Sequence, residues 1–488
     1  MLTRRRTILS GSAAAASAVL VGAPGCAQPR RFAAPLPVPP VIDAHAQGGS
    51  IRLVAQNGRH AFGEGRPVAT LGYSGPVLGP TLRMRRGDEI AVEIDNRMDA
   101  DTVVHWHGLL IPSERDGAPH DHIAPGETWR RVLPIDQAET TAWYHPHPYR
   151  DTARQVYFGL AGLVLIDDGT GARLGLPRTY GVDDLPLVLQ DRLFDEAGDL
   201  IYPDSSMTVM QGARGNTIVV NGAIDPVARI PAGVVRLRLL NGSNARNLDL
   251  GFDDGRPFHV IASDGGYLAS PVPVTRLLIA PAERFEILVD FSDGRPAALE
   301  TGRDPYPPMM GMMMRGAQSG AAEIMRFSPD RNRPPAKGSV PPALVEMPAL
   351  PSSDQLRRRR FVLNDMNGMM GGMMSGGRGG GLGINGQSFD MERIDAEIPL
   401  GSTEIWEIEA GTMAHPFHVH GVHFRITSLD GAPPPPHLQG WKDTVLVSRF
   451  AEILIHFTQP ASLAHPFMFH CHILEHEDGG MMGQYVCA

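Results

Sequence analysis

Lysine and cysteine are both nearly missing from this 488-residue sequence, and each shortage excludes a class of protein. Lys337 and Lys442 are the only lysines, the arginines are scattered, and the net charge is -9, so no nucleic acid partner is expected. Cys26, Cys471 and Cys487 are the only cysteines, too few for a disulfide scaffold in an exported chain. Cys487, one residue from the end, reads as a lone thiol without a role. No stretch after residue 30 is apolar enough to span a bilayer. Turn residues are plentiful instead: 55 Gly and 43 Pro suit an all-β chain of many short strands, and the length suggests three domains.

Residues 1–30 carry an address. Arg4-Arg5-Arg6 precedes a small apolar run from Ala13 to Val21, which fits a twin-arginine signal read by the twin-arginine translocon. That route exports folded chains, as suits one that acquires metal first. Cys26, after Ala23-Pro24-Gly25, offers a lipid-anchor site, while cleavage without lipid fits equally. The expected location is the periplasm or the outer face of the cell membrane, and the expected state a monomer.

A weak repeat organises the remainder. Gly87 to Ile94, Val235 to Leu239 and Glu404 to Glu409 each alternate apolar and polar residues with the period of a half-buried strand. Each is followed by a second matching stretch: Ala124-Pro125-Gly126-Glu127, Ala280-Pro281-Ala282-Glu283 and Arg449-Phe450-Ala451-Glu452. Asn-Gly turns recur at Asn221-Gly222 and Asn385-Gly386. The offsets from Gly87 to Ala232 to Gly401, 145 and 169 residues, are domain-sized. The expectation is three Greek-key β-sandwich domains at 45–170, 180–330 and 358–488, with a Pro-rich linker at 331–357 and a Met-rich insert at 364–382.

Chemistry concentrates in histidine pairs. His105-Trp106-His107, His145-Pro146-His147, His418-Val419-His420 and His470-Cys471-His472 are four His-x-His units, where chance in this composition supplies about one. On a strand each pair sets both imidazoles on one face, close enough for neighbouring metals. Cys471 then points away from its two histidine neighbours. His415 lies an odd number of residues from His418 and His420, so it too faces elsewhere and can join Cys471, His476 and Met481. Thiolate, imidazole and a weak thioether are the ligand set of a blue electron-transfer copper. A fifth pair, His120-Asp121-His122, sits among Gly and Pro and reads as a polar surface turn.

The motifs HWHG at 105–108, HPH at 145–147, HPFHVHG at 415–421 and HCHILEHEDGGMM at 470–482 resemble the copper motifs of the multicopper oxidases, a resemblance that runs from about residue 45. It implies three cupredoxin-like domains and four copper ions. His415, Cys471 and His476 would hold a type 1 copper with Met481 axial, His105 and His418 a type 2 copper. His107, His145, His147, His420, His470 and His472 would hold a type 3 pair. Such proteins couple four one-electron oxidations to the reduction of O2 to water. Protons are consumed, so carboxylates beside the cluster are expected; the resemblance points to Asp116 and Glu477.

The reductant is read from methionine. Met309, Met310 and Met312 to Met314 form one cluster; Met366, Met369, Met370, Met373 and Met374 form a second. Thioethers select Cu(I), and bacterial cuprous oxidases of copper tolerance are similar in carrying a Met-rich insert. Substrate Cu(I) would then meet Met366, with Asp365 as a hard ligand and Met413 handing the electron inward. Gly411 departs from the pattern, since cuprous oxidases carry an acid four residues before the type 1 histidine. The alternatives are a laccase oxidising small phenols, with the methionines as lid or flexible filler, and a non-catalytic copper-binding scaffold. Scaffolds of that kind lack the cysteine and several histidines, whereas every ligand position is filled here.

Overall fold

The same three-stranded motif recurs three times. Glu89–Asn96 lies between a parallel neighbour, Ser50–His60, and an antiparallel one, Thr128–Pro134. Val234–Asn241 lies likewise between Asp184–Phe194 and Arg284–Asp290, and Thr403–Ala410 between Arg357–Asn364 and Phe450–His456. The central strands are the three alternating stretches of the sequence, but burial alternates only in the first, at Ile90, Val92 and Ile94. Residues 235–241 are buried throughout, and Glu404, Ile405 and Trp406 are buried in succession, because both faces of those strands are covered. The computed structural model describes residues 34–307, 322–352, 355–364 and 381–488. Outside them lie the export segment with Cys26, both methionine clusters and Asp365.

The described strands form six sheets that pair into three sandwiches, each with its own apolar core. Helices are short; the longest described is Thr152–Phe158, and none is long and apolar enough to cross a membrane. Asn221 and Gly222 both take positive φ between Thr217–Val220 and Ala223–Ile224, the left-handed turn that an Asn-Gly pair permits. The Pro-rich passage is not a free tether over its described length: Leu344 is buried in the second core, and its N–H donates to the Ala269 carbonyl. The chain is therefore an all-β protein of three cupredoxin-like sandwiches.

Between the first two sandwiches the contact is ionic as well as apolar. Trp143 and Leu163 of the first pack with Val188, Leu240 and Ala282. Beside them, buried Glu286 accepts from Thr141 Oγ1 (2.6 Å) and Arg238 Nη1 (2.9 Å) and is paired with Arg236. Burial would push the Glu286 carboxyl up, but the two guanidiniums hold it below its ordinary 4.5. A carboxyl depressed in this way contributes stability above the unfolded-state value, and that contribution is lost as pH falls through the folded-state value. Glu286→Gln removes the carboxylate between Arg236 and Arg238, leaving Arg238 with Asp184 and Arg236 with the more distant Glu139, and should cost about 3 kcal/mol of unfolding free energy near neutrality. Urea denaturation at a series of pH values should show this deficit shrinking as the solution is acidified.

Candidate metal centres

The four His-x-His pairs at 105/107, 145/147, 418/420 and 470/472 share a local design, whereas His120 and His122 lie on and beside the short 3-10 turn Pro119–Asp121. In each of the four the first histidine lies inside a strand, in Val104–His105, Thr140–Pro146, His415–Val419 and Phe467–Cys471; the second lies just past its end, directly so for His147, His420 and His472 and after Trp106 for His107. Pairing across strands then converges them: His105 opposes His145, and His418 opposes His470. The sequence expectation of two imidazoles on one strand face is thus met with one residue on the strand and one on the turn. Within pairs the ring centroids are 5.5, 6.1, 5.0 and 5.4 Å apart.

The eight rings form one nest. His107, His145 and His472 stand 5.6, 5.3 and 5.3 Å apart, ring to ring. His147, His420 and His470 stand 5.2, 5.0 and 5.3 Å apart. His105 and His418, 5.7 Å apart, lie between them, stacked on His420 and His107 at 3.8 and 3.6 Å. Burial holds His107, His145, His418 and His420 well below the ordinary imidazole range and pushes His147 and His472 down to about 3. Neutral imidazoles are the form that binds metals.

On the other face of strand Phe467–Cys471 the thiol meets a second group. Cys471 Sγ lies 3.4 Å from His415 Nδ1 and 3.7 Å from His476 Nδ1, and those two nitrogens are 3.3 Å apart. Phe417 opposes Cys471 across the sheet, so His415 sits two residues along the neighbouring strand. His476 comes from the short helix Leu474–Asp478. Met481 is fully buried and tied to both: its N–H donates to the His476 carbonyl and its carbonyl accepts from Cys471 N–H. Ile473 N–H donates to Cys471 Sγ at 3.3 Å. Burial pushes the Cys471 thiol up, so the thiolate requires a cation beside it. Met413 is half-buried against the same core, while Gly411 is exposed.

Carboxylates orient the rings from behind. Asp116 Oδ2 accepts from His420 Nδ1 at 2.7 Å and lies 3.2 Å from His105 Nδ1. Glu477 Oε2 and Oε1 lie 3.1 Å from His470 Nδ1 and 3.4 Å from His147 Nδ1. Burial raises Asp116, whereas for Glu477 burial is outweighed by His147 and His470, which hold it at about 2. With Nδ1 of His420 and His470 both facing carboxylates, their Nε2 lone pairs confront each other at 3.2 Å. Two acceptors at that distance repel unless a cation sits with them. Nε2 of His105, His145, His147, His418 and His472 is buried with no hydrogen-bond partner among the described residues. Nitrogen and sulfur donors of this softness fit copper.

Three family models for multicopper oxidases match residues 55–171, 189–298 and 356–488. A solved laccase-like multicopper oxidase, CueO of Ochrobactrum sp., is 45% identical, with a TM-score of 0.84 over 93% of this chain and 100% of its own. The chain belongs to the multicopper oxidase family. The multicopper oxidase McoA of Aquifex aeolicus is 30% identical, with a TM-score of 0.80 over 93% of this chain and 99% of that one. Among curated relatives, the cell division protein FtsP of Escherichia coli K12 is 36% identical over 486 residues, 99% of this chain and 98% of the relative. FtsP of Edwardsiella tarda is 37% identical over 487 residues, 99% of this chain and 98% of the relative.

Multicopper oxidases bind copper, and this member brings His105, His107, His145, His147, His418, His420, His470 and His472 together, with His415, Cys471 and His476 apart from them. Sequence reasoning missed Asp443. Its Oδ1 lies 3.1 Å from His107 Nε2, and its carbonyl accepts from His418 Nδ1 at 2.8 Å. The one signal was its neighbour, Lys442, an unusual residue in this chain. Also missed was Glu475, which accepts from Asn244 Nδ2, Ala213 N–H and Tyr202 OH, pinning the helix of His476 to the second sandwich. His476 Nε2 in turn faces the Met210 carbonyl at 3.2 Å.

Gly117, beside Asp116, takes φ +82°, and a Cβ there would stand 1.9 Å from the Val104 carbonyl and 3.1 Å from His105 Cα. Gly117→Ala should therefore cost on the order of 1–3 kcal/mol in urea unfolding through backbone strain. It should also lower copper uptake, measured by metal analysis, by more than an equally destabilising change in a core remote from His105.

Proposed function

We propose that this chain is an oxidase coupling four one-electron oxidations of a reductant to the four-electron reduction of O2 to water. Four resident coppers would be held as follows: type 1 by His415, Cys471, His476 and Met481; type 2 by His105 and His418. One type 3 ion would be held by His107, His145 and His472, the other by His147, His420 and His470. The observation that carries this reading is Cys471, which faces His415 and His476 while its covalent neighbours His470 and His472 belong to two different imidazole triangles. When bound, copper supplies one-electron acceptance at the sulfur site and pooled delivery of four electrons to dioxygen at the histidine nest.

The chain's own groups do the rest. The Cys471 backbone and side chain join the two sites through two short covalent routes, and the sheet excludes water around them: Phe417, Phe469 and Ile473 are buried there. Asp116 Oδ2 accepts from Nδ1 of His420, and the Cys471 carbonyl accepts from Nδ1 of His470 with the Glu477 carboxylate beside it, which leaves Nε2 of both as the donor atom. Asp116 and Glu477 are the carboxylates that stand against the nest, and their place there makes them the groups to relay protons to it. The domains would run 45–170, 180–330 and 358–488, and residues 1–30 would direct export by the twin-arginine route.

For the reductant we take Cu(I), supported by Met413, half-buried two residues before His415, and by the soft side chains of the insert at 364–382 with Asp365 and Met366. An aromatic reductant is favoured by a different observation: the 45% identical CueO of Ochrobactrum sp. is described as having oxidase activity towards lignin model compounds and lignosulfonate. A third reading, a role in cell division, is supported by the cell division relatives.

Oxygen uptake separates these. Copper-loaded protein should consume oxygen with Cu(I), and deleting 364–382 should slow this about tenfold or more while sparing a bulky phenol, a loss of roughly 1.4 kcal/mol of barrier lowering. Phenol oxidation that exceeds Cu(I) oxidation, with no effect of the deletion, would favour the aromatic reading. No uptake with either reductant would favour the division role. Cys471→Ser should abolish both the intense blue absorption and turnover; colour that survives the substitution would remove the type 1 assignment.

A further inference from the structure

The middle sandwich supplies none of the candidate copper ligands, which all fall at 105–147 and 415–481. Yet one edge of it reaches the back of the histidine nest. Arg284, at the start of strand Arg284–Asp290, is 1% exposed and grips Asp443 through both guanidinium branches, Nη1 to Oδ1 at 2.7 Å and Nη2 to Oδ2 at 2.6 Å. Its Nε donates to the Thr141 carbonyl of the first sandwich at 3.1 Å, and its Nη2 to the Asp264 carbonyl at 3.1 Å. One side chain thereby touches all three sandwiches. The residue it grips, Asp443, is the one in contact with His107 from the first sandwich and His418 from the third.

A second cation completes the arrangement. Lys442 is fully buried, with Nζ 3.0 Å from Asp264 Oδ2 and 2.9 Å from Glu283 Oε1, over the face of Phe285. Asp264 Oδ2 also accepts from the N–H groups of Asp443 and Thr444, each at 3.3 Å. The ammonium thus draws the 442–444 segment onto two carboxylates of the middle sandwich, and Arg284 sets the orientation of the carboxylate that segment carries. Two buried cations face three buried carboxylates, and such a group is strongly destabilised when one member is removed without its partners. Gly108, the last residue of the His-Trp-His-Gly motif, makes room for it. A Cβ there would stand 2.5 Å from Arg284 Nη2 and 2.9 Å from Asp443 Oδ2.

We propose that Lys442 and Arg284 are positioning residues. Acting through Asp264 and Asp443, they lock the register between His107 and His418, so that the middle sandwich shapes a copper site to which it gives no ligand. The inference rests on the oxidase reading above. It is separate from the work of Asp116 and Glu477, which bear on His105, His147, His420 and His470. It also gives a reason for lysine at 442 in a chain that otherwise favours arginine. A compact ammonium meets two carboxylates beneath an aromatic ring as a point charge, whereas a planar guanidinium is suited to a bidentate grip such as that of Arg284 on Asp443.

The test compares copper-loaded wild type with Lys442→Met, which keeps most of the side-chain volume without charge, and Arg284→Lys, which keeps charge without the two-branched grip. Copper per chain, blue absorption, the electron paramagnetic resonance of the non-blue copper and the unfolding temperature of the metal-free chain are measured together. The expected result is blue absorption per chain as in wild type, with copper lost from the non-blue sites and a shifted or weakened non-blue resonance. Turnover should fall in kcat with KM for the reductant unchanged. Wild-type copper content with an unshifted resonance in both variants would overturn the positioning role. So would a parallel loss of blue and non-blue copper that tracks a lowered unfolding temperature, because that is general destabilisation. Should Lys442→Met fail to fold, Arg284→Lys decides alone. A wild-type chain that takes up no copper would instead overturn the oxidase reading, and this inference with it.

Discussion

In an extended strand, successive side chains leave on opposite faces, and at His470-Cys471-His472 that alternation separates a sulfur from two imidazoles by a single peptide unit on either side. Everything else in the chain is arranged to populate those two faces. Strand His415–Val419, paired beside it, delivers His415 to the sulfur face and His418 to the other. The first sandwich brings His105, His107, His145 and His147 to the imidazole face, and its helix Thr152–Phe158 packs on the helix Leu474–Asp478. The helix Leu474–Asp478 turns the chain back so that His476 reaches the sulfur. A bulge or a shift of one residue in either strand would exchange the two faces and dismantle both groups at once.

Burying eight imidazoles together is costly without compensation, and the way the cost is met explains the surroundings. Behind the rings, Asp116 Oδ2 accepts from Nδ1 of His420 and backbone carbonyls accept from Nδ1 of His105, His145, His418 and His470, so lone pairs converge inward, where Nε2 of His420 meets Nε2 of His470. The carboxylates are in turn buried and need partners: Asp443 has Arg284, and Asp264 has Lys442. Desolvation is thus passed outward shell by shell until it ends at ion pairs between sandwiches.

Much of the site was legible because it is written in short-range spacing. Four His-x-His units, the odd offset of His415 and the run from Cys471 to Met481 all encode face and proximity within a few residues. The strand periodicity that defined the repeat was equally local, and the same three central strands appear in the fold. The oriented carboxylates were only half legible. Asp116 and Glu477 were found through family resemblance; Asp443, Asp264, Glu283 and Arg284 were not, since their partners lie far along the chain. Arg284 and Asp443 are 159 residues apart, and Asp116 and His420 304.

The amino-acid order alone determined which atoms are available and on which side of a strand each one leaves, because backbone geometry ties the direction of a side chain to its parity. It thereby determined the ligand types, the separation of sulfur from imidazoles and the threefold strand motif. Only the tertiary structure decided which histidine of one sandwich meets which of another. It alone decided that both groups are sealed from water, and that the middle sandwich, with no ligand of its own, reaches them through Arg284 and Lys442. Those are matters of packing between segments more than a hundred residues apart, and no local rule of chain geometry carries information over that distance.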